Sequence, residues 1–261
     1  MKKYITLLLL LSVNIVFAQS EKYYVTFVKG QANLKKTNQP IKVGAVLLPT
    51  DAVVFKDQTA KVSCISPGKG RFDLSAQKVK ASPGGELLAA LKNNLVPSTT
   101  TYHLSTRSLN FDGYDPKTYF QSTATNDRIL LVSGESLPIL SSYKLDEQHF
   151  FFIQYNVNGT PTTKKIEHNE KGLIFNSNLF KDGIPSKVML CYQSQVAGKA
   201  KSTAIIEFFP VLASKTDLMN EIKVLKSNLG DNKKMLKEAV TAHLFDNYGK
   251  LGQDQIDHLL L

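Results

Sequence analysis

The spacing of apolar residues divides the chain into regimes with different periods. Between Lys22 and Leu74, short apolar runs are separated by turn residues. The runs are Lys22–Lys29, Ala32–Lys36, Ile41–Gly44, Val46–Leu48, Ala52–Lys56, Ala60–Ser66 and Arg71–Leu74. Runs this short, rich in β-branched and aromatic residues and bounded by Gly, Pro, Asn and Asp, predict a small all-β barrel or sandwich. Its expected core is Val25, Phe27, Val43, Leu47, Val53, Phe55, Val62, Cys64, Ile65 and Phe72. Residues 84–93 (GGELLAALKN) follow a Pro-Gly-Gly break and predict one short amphipathic helix.

Periodicity then lapses. Residues 95–127 are rich in Ser, Thr, Asn and Asp and read as a linker, docked locally through Phe111, Tyr114, Tyr119 and Phe120. From Arg128 alternation returns in runs at Arg128–Val132, Leu137–Ser141, His149–Asn156, Thr162–Glu167, Gly172–Asn176, Lys187–Ser194 and Thr203–Val211. Pro138 marks an edge strand, and Asn158-Gly159 between two alternating runs marks a tight hairpin. Phe150 and Phe152 point to one face and Phe151 and Ile153 to the other, so both faces of that strand are covered. The number and spacing of the runs predict an immunoglobulin-like sandwich. In it Val188–Gln193 lies beside Ala204–Phe208, joined by a polar loop at Val196–Lys201.

The last segment has a helical period. Leu218, Met219, Ile222, Leu225 and Leu229 form one stripe after a capping signal at Ser214–Asp217, and Gly230 stops it. A second helix is expected at about 232–248, with Met235, Leu236, Ala239, Val240, His243 and Leu244 on its face, and a third ends the chain. The predicted class is therefore mainly β with an α-helical C-terminus. The expected divisions are a small β domain at 19–95, a linker at 96–127, a β-sandwich at 128–213 and a helical region at 214–261.

The first residues change the setting. MKKYITLLLLLSVNIVFAQS has two lysines, an apolar run and small residues around Ala18, the layout of a signal peptide cut after residue 18. The run is too short to stay as a spanning helix, and no later segment is long and apolar enough to be a transmembrane segment of the mature chain. The expected location is exported, in the periplasm or outside the cell.

Charge narrows the partners. The formal net charge is +10, and residues 20–100 hold twelve Lys/Arg against five Asp/Glu, so the basic character belongs to the first domain. Lys35, Lys36, Lys42, Lys69 and Arg71 are the candidate ligand-binding surface. Arg71, Arg107 and Arg128 are the only arginines, which argues against nucleic acid as a partner, because base and phosphate readers rely on bidentate arginine. Cys64 and Cys191 each sit inside an apolar run of a different expected domain and read as buried free thiols.

Local chemistry is sparse. His103, His149, His168, His243 and His258 stand in no metal-ligand spacing, and His243 falls on the apolar stripe of a helix, the place of a hydrogen-bonded core histidine. No nucleophile elbow or phosphate-binding loop is present, so neither catalytic residues, nor a metal, nor a cofactor is expected. Asp112-Gly113-Tyr114-Asp115 reads as a turn using Asp and Gly for their backbone properties.

KVGAVLLPTDAVVF followed by KVSCISPGKGRFDLS resembles the FecR-type periplasmic sensor domain, with Gly30, Gly44, Leu47, Thr50 and the hairpin around Gly68–Gly70 as the matching positions. The resemblance implies a small exported β domain. The expected function is that of a non-catalytic interaction or scaffold protein of the bacterial cell envelope, whose partner is an envelope protein or an anionic envelope polymer. Two alternatives stay open: a module binding anionic glycan or lipid through the basic first domain, and a hydrolase whose catalytic residues are dispersed along the chain.

Overall fold

The computed structural model describes residues 21–76, 112–121, 128–181, 183–230 and 232–261. The expected leader, the helix at 84–93, Phe111, His103 and most of the expected linker lie outside the described residues. The chain forms two compact units, Met1–Thr99 with Lys223–Gly230, and Thr100–Ile222 with Asp231–Leu261. The architecture is mainly β, with several sheets and with its long helices at the C-terminus.

The first unit contains β1 (Tyr23–Lys29), β2 (Ala32–Leu34), β3 (Val46–Leu47), β4 (Val53–Phe55), β5 (Lys61–Ser66) and β6 (Gly70–Ser75). Its larger sheet has the order β3-β1-β5-β6, and β2 pairs with β4 in a second, two-stranded sheet. The register of β1 against β5 slips between Val25 and Phe27. At that bulge Thr26 is fully buried, and its hydroxyl donates to the Ser63 carbonyl at 3.2 Å, so the inward polar group is satisfied. Tyr23, Val25, Leu47, Val53, Val62, Cys64, Phe72 and Leu74 close the core.

One expected strand is absent. Residues 41–44 form a turn with Gly44 at φ +86°, and only Pro40 bridges to Asn33. Ile41 is nevertheless buried while Val43 is only half-buried, because the turn offers its side chains to the core one at a time.

The second unit opens with a short helix, α1 (Pro116–Tyr119), capped by Asp115, whose side chain accepts from the Thr118 amide at 3.2 Å. Within the expected linker, Tyr119 and Phe120 are thus core residues: the Phe120 ring lies 4.4 Å from that of Phe208. Eight strands follow: β7 (Arg128–Ser133), β8 (Ser136–Pro138), β9 (Phe150–Val157), β10 (Thr160–Lys165), β11 (Glu167–His168), β12 (Gly172–Ile174), β13 (Val188–Val196) and β14 (Lys199–Ser214).

They make one sheet in the order β10-β9-β13-β14-β7 and another in the order β11-β12-β8. Successive strands cross between the sheets in the order of an immunoglobulin-like sandwich. The inner faces meet in Phe151, Ile153, Leu190 and Phe208 from the larger sheet and Leu137 and Leu173 from the smaller. Pro138 lies on an edge strand, and Asn158 and Gly159 turn the β9–β10 hairpin with φ of +48° and +83°.

The expected loop at Val196–Lys201 is instead a two-residue turn, with Ala197 and Gly198 at φ +50° and +75°. Pairing of β13 with β14 runs to Val196↔Lys199, whereas β9 stops at Gln193 and β7 begins opposite Phe209. The end of this hairpin therefore projects as a two-stranded arm, exposed from Val196 to Ala204.

β14 runs directly into α2 (Lys215–Leu229), followed by α3 (Lys233–Asn247) and α4 (Gln253–Leu260). Ser214 caps α2 by accepting from the Asp217 amide at 3.2 Å, and Asn232 caps α3 by accepting from the Met235 amide at 3.1 Å. Leu236, Val240, Leu244, Ile256 and Leu259 are buried, but Met219 and Met235, expected on the stripes, are exposed. Lys250 extends the sandwich sheet. Its amide donates to Arg128 and its carbonyl accepts from Leu130, at 2.9 and 2.8 Å, beside β7. Among the described residues no helix is long and apolar enough to cross a membrane.

Candidate functional site

Two polar constellations stand out in the second unit, one closed and one open. The closed one joins α2 to α3. Glu221 and His243 are buried, and His243 Nε2 lies 2.8 Å from Glu221 Oε2. Tyr248 donates its hydroxyl to Glu221 Oε1 at 2.6 Å, and Asn247 Nδ2 is 3.2 Å from His243 Nδ1. With the amide donating to Nδ1, the ring proton is assigned to Nε2, which donates to the carboxylate. Burial first, and then the nearby charge of Glu221, push the Tyr248 hydroxyl far up, so it stays a donor. His243 is fully buried, so no substrate reaches the ring. The group acts as a clamp between two helices.

The open constellation is a cleft of about 280 Å³ where the β7–β8 turn, the β11–β12 turn, the start of α2 and one face of α4 meet. Val132, Pro138 and Leu259 supply apolar wall; Glu135, Ser136, Asn169, Lys171, Lys215, Asp254, Gln255 and His258 supply polar groups. The sequence predisposes each of these elements. Asn169 closes the β11–β12 turn, its Oδ1 accepting from the amides of Lys171 and Gly172 at 2.9 Å each and from Ser136 Oγ at 3.2 Å. Gly172 is required there, because a Cβ would sit 2.0 Å from the Leu137 carbonyl oxygen. Gln255 ties α4 down: its Oε1 accepts from Tyr119 Oη at 2.7 Å and from the Gly252 amide at 3.3 Å.

Charge in the cleft is partly spent. Lys215 Nζ pairs with Glu135 Oε1 at 2.7 Å. Burial pushes the Asp254 carboxyl up, against the lowering effect of neighbouring backbone amides, and its Oδ1 is buried without a hydrogen bond. Lys171 is exposed and carries no ion pair among the described residues.

The basic residues expected to form a binding surface stand apart from this cleft, in the first unit. Lys35 and Lys36 occupy the turn after β2, and Lys42 the loop before β3; all three are exposed. Lys69 and Arg71 share the β5–β6 hairpin, where Lys69 pairs with Glu21 at 2.7 Å. Arg71 is half-buried beside Asp73: burial pushes that carboxyl up, but Lys61 at 2.9 Å, the Ser63 hydroxyl at 2.7 Å and, least, the Arg71 charge hold it below the usual range. The structure brings Lys69 and Arg71 to one hairpin and leaves Lys35, Lys36 and Lys42 on two separate turns.

Cys64 and Cys191 are buried free thiols in different units. Among the described residues no group of three or more His, Cys, Asp or Glu is placed to hold a metal ion. His149 faces Asp146, Nδ1 to Oδ1 at 2.8 Å. Asp112, in the expected turn, accepts from Ser141 Oγ at 2.7 Å. The cleft residues gave no signal in the sequence: Asn169, Lys171, Gln255 and His258 fall in no motif, and only folding joins residues so far apart along the chain. Compared with family models, curated proteins and solved structures, the chain matches none.

Proposed function

We propose that this chain is a non-catalytic, exported interaction protein of the bacterial cell envelope. The observation that carries the reading is the arm at the end of the β13–β14 hairpin. Its backbone pairs only within itself from Ser194 to Lys201 among the described residues, and Val196 at its tip is 53% exposed. A two-stranded arm held by its own ladder, with apolar and basic side chains (Val196, Lys199, Lys201), presents contact groups at a smaller ordering cost than a loose loop. The leader-like first residues support export, and the partner class is an envelope protein.

A photo-crosslinking residue at position 196, in the chain expressed in its own cells, tests the reading alongside sequencing of the mature N-terminus. The expected result is cleavage after Ala18 and one defined envelope adduct, absent with the crosslinker at Met235. An uncleaved cytosolic protein, or equal adducts from both positions, overturns it.

The second reading, binding of anionic glycan or lipid, rests on Lys35, Lys36 and Lys42, which are exposed and carry no ion pair among the described residues. It is weakened at the β5–β6 hairpin, where Lys69 already pairs with Glu21 and Arg71 lies beside Asp73.

A further inference from the structure

The cleft beside α4 has an uneven supply of hydrogen-bonding groups. Each of its two amide side chains has its oxygen consumed by the fold: Asn169 Oδ1 accepts three hydrogen bonds and Gln255 Oε1 accepts two. What each amide retains is its NH₂, a donor only. Lys171 adds an ammonium without an ion pair among the described residues, and Lys215 keeps donors beyond the one directed at Glu135. On the acceptor side, Glu135 is already paired with Lys215, and what is left is the Asp254 carboxyl, whose Oδ1 is buried in the wall. The cleft therefore holds unspent donors on Asn169, Gln255, Lys171 and Lys215, next to an apolar wall of Val132, Pro138 and Leu259.

We propose that this cleft binds a small organic carboxylate, its anionic head on Lys171 and the amide NH₂ groups of Asn169 and Gln255 and its carbon skeleton against Val132, Pro138 and Leu259. A carboxylate supplies acceptors only, the complement of these unspent donors, and a charge-assisted hydrogen bond is about twice as strong as a neutral one. The volume, about 280 Å³, admits one small molecule and no folded chain. The apolar wall favours an organic anion over inorganic phosphate. The head group is shared by a fatty acid and a sugar acid, and the test separates them.

The experiment is an amide NMR titration of the chain from residue 19 to 261 with sodium hexanoate, sodium glucuronate, hexanol, glucose and inorganic phosphate. One or both carboxylates should shift the amides of Lys171, Gly172 and Gln255 saturably, while the uncharged counterparts leave them in place. Lys171→Glu should weaken carboxylate binding at least about tenfold with an unchanged melting curve. Should that variant fail to fold, Lys171→Gln carries the same expectation. Leu259→Ala should weaken hexanoate more than glucuronate if the natural ligand is a fatty acid, and the reverse preference among wild-type affinities marks a sugar acid. The proposal is overturned by no saturable shift from either carboxylate up to about 10 mM, by equal binding of hexanol or glucose, by phosphate binding as tightly, or by an indifferent Lys171 variant. Failure here leaves the interaction reading intact, since that rests on the hairpin arm and is read by crosslinking.

Discussion

The second unit holds two polar groupings that look alike in composition and differ in closure. The clamp of Glu221, His243, Asn247 and Tyr248 has its polar groups paired with one another, with Glu221, His243 and Asn247 buried and Tyr248 half-buried. In the cleft beside α4, the acceptors of Asn169 and Gln255 are used up while Lys171 and both amide NH₂ groups face no protein acceptor among the described residues. The difference separates a polar group kept for structure from one kept for a ligand. A buried pair costs several kcal/mol if one partner is lost, whereas an exposed donor in a cleft costs little when free and gains when an acceptor arrives.

The clamp offers the sharpest way to break this comparison. Glu221→Ala leaves the buried His243 donor and the half-buried Tyr248 hydroxyl without their acceptor, and urea denaturation should show a loss of about 3–5 kcal/mol in the transition of the second unit. The double change Glu221→Leu with His243→Leu should recover part of that loss, because the imidazole donor is removed with its acceptor while the Tyr248 hydroxyl and the Asn247 amide still lose theirs. A single change costing under about 1 kcal/mol would mean that water reaches the clamp and that the two groupings are not distinct.

A smaller effect is expected at Gly252, where a Cβ would sit 2.0 Å from Tyr114 Oη. Gly252→Ala must shift Tyr114 or α4, at a cost of about 1–3 kcal/mol by thermal melting. Because Gln255 is held through this turn, the same variant should loosen the cleft and weaken carboxylate binding, while the clamp keeps its hydrogen-exchange protection.

The pH dependence of Asp254 is weaker again. Burial raises its folded pKa above the unfolded value, so the folded state holds its proton more tightly, and this residue's contribution to stability falls as pH rises through that window. Asp254→Asn should therefore give a small stabilisation at pH 7 that disappears once the pH is below the ordinary carboxylate range, as read by melting curves at several pH values. A gain that persists unchanged at pH 3 would show that ionisation is not its cause. Least of all, Lys171→Glu should change stability by no more than about 0.5 kcal/mol, since the side chain is exposed. A larger loss would make Lys171 a structural residue.

Local pattern carried much of the architecture. The Asn158-Gly159 turn, the edge position of Pro138, the two-faced strand through Phe150–Ile153 and the cap at Ser214 are each short-range matters. They depend on backbone conformations and alternation that the residues themselves impose. His243 was also legible as a hydrogen-bonded core histidine, because a polar residue on an apolar stripe needs a partner there. Reading by period failed where a residue's fate depended on a distant neighbour. Ile41 packs from a turn rather than a strand, and Met235 sits on an apolar stripe yet stays in solvent.

The sequence by itself determined the mainly β class, the change to helices near residue 215, the excess of lysine in the first domain, and the leader-like start. These are properties of composition and of spacing within a few residues. Only the tertiary structure decided which polar groups would be satisfied. Glu221 and His243 come together because two helices pack, and Asn169, Lys171 and Gln255 line one cleft because α4 meets the turns of the smaller sheet. Whether a side chain is paired or left with spare donors is settled by partners far away in the chain, and no local pattern encodes that distance.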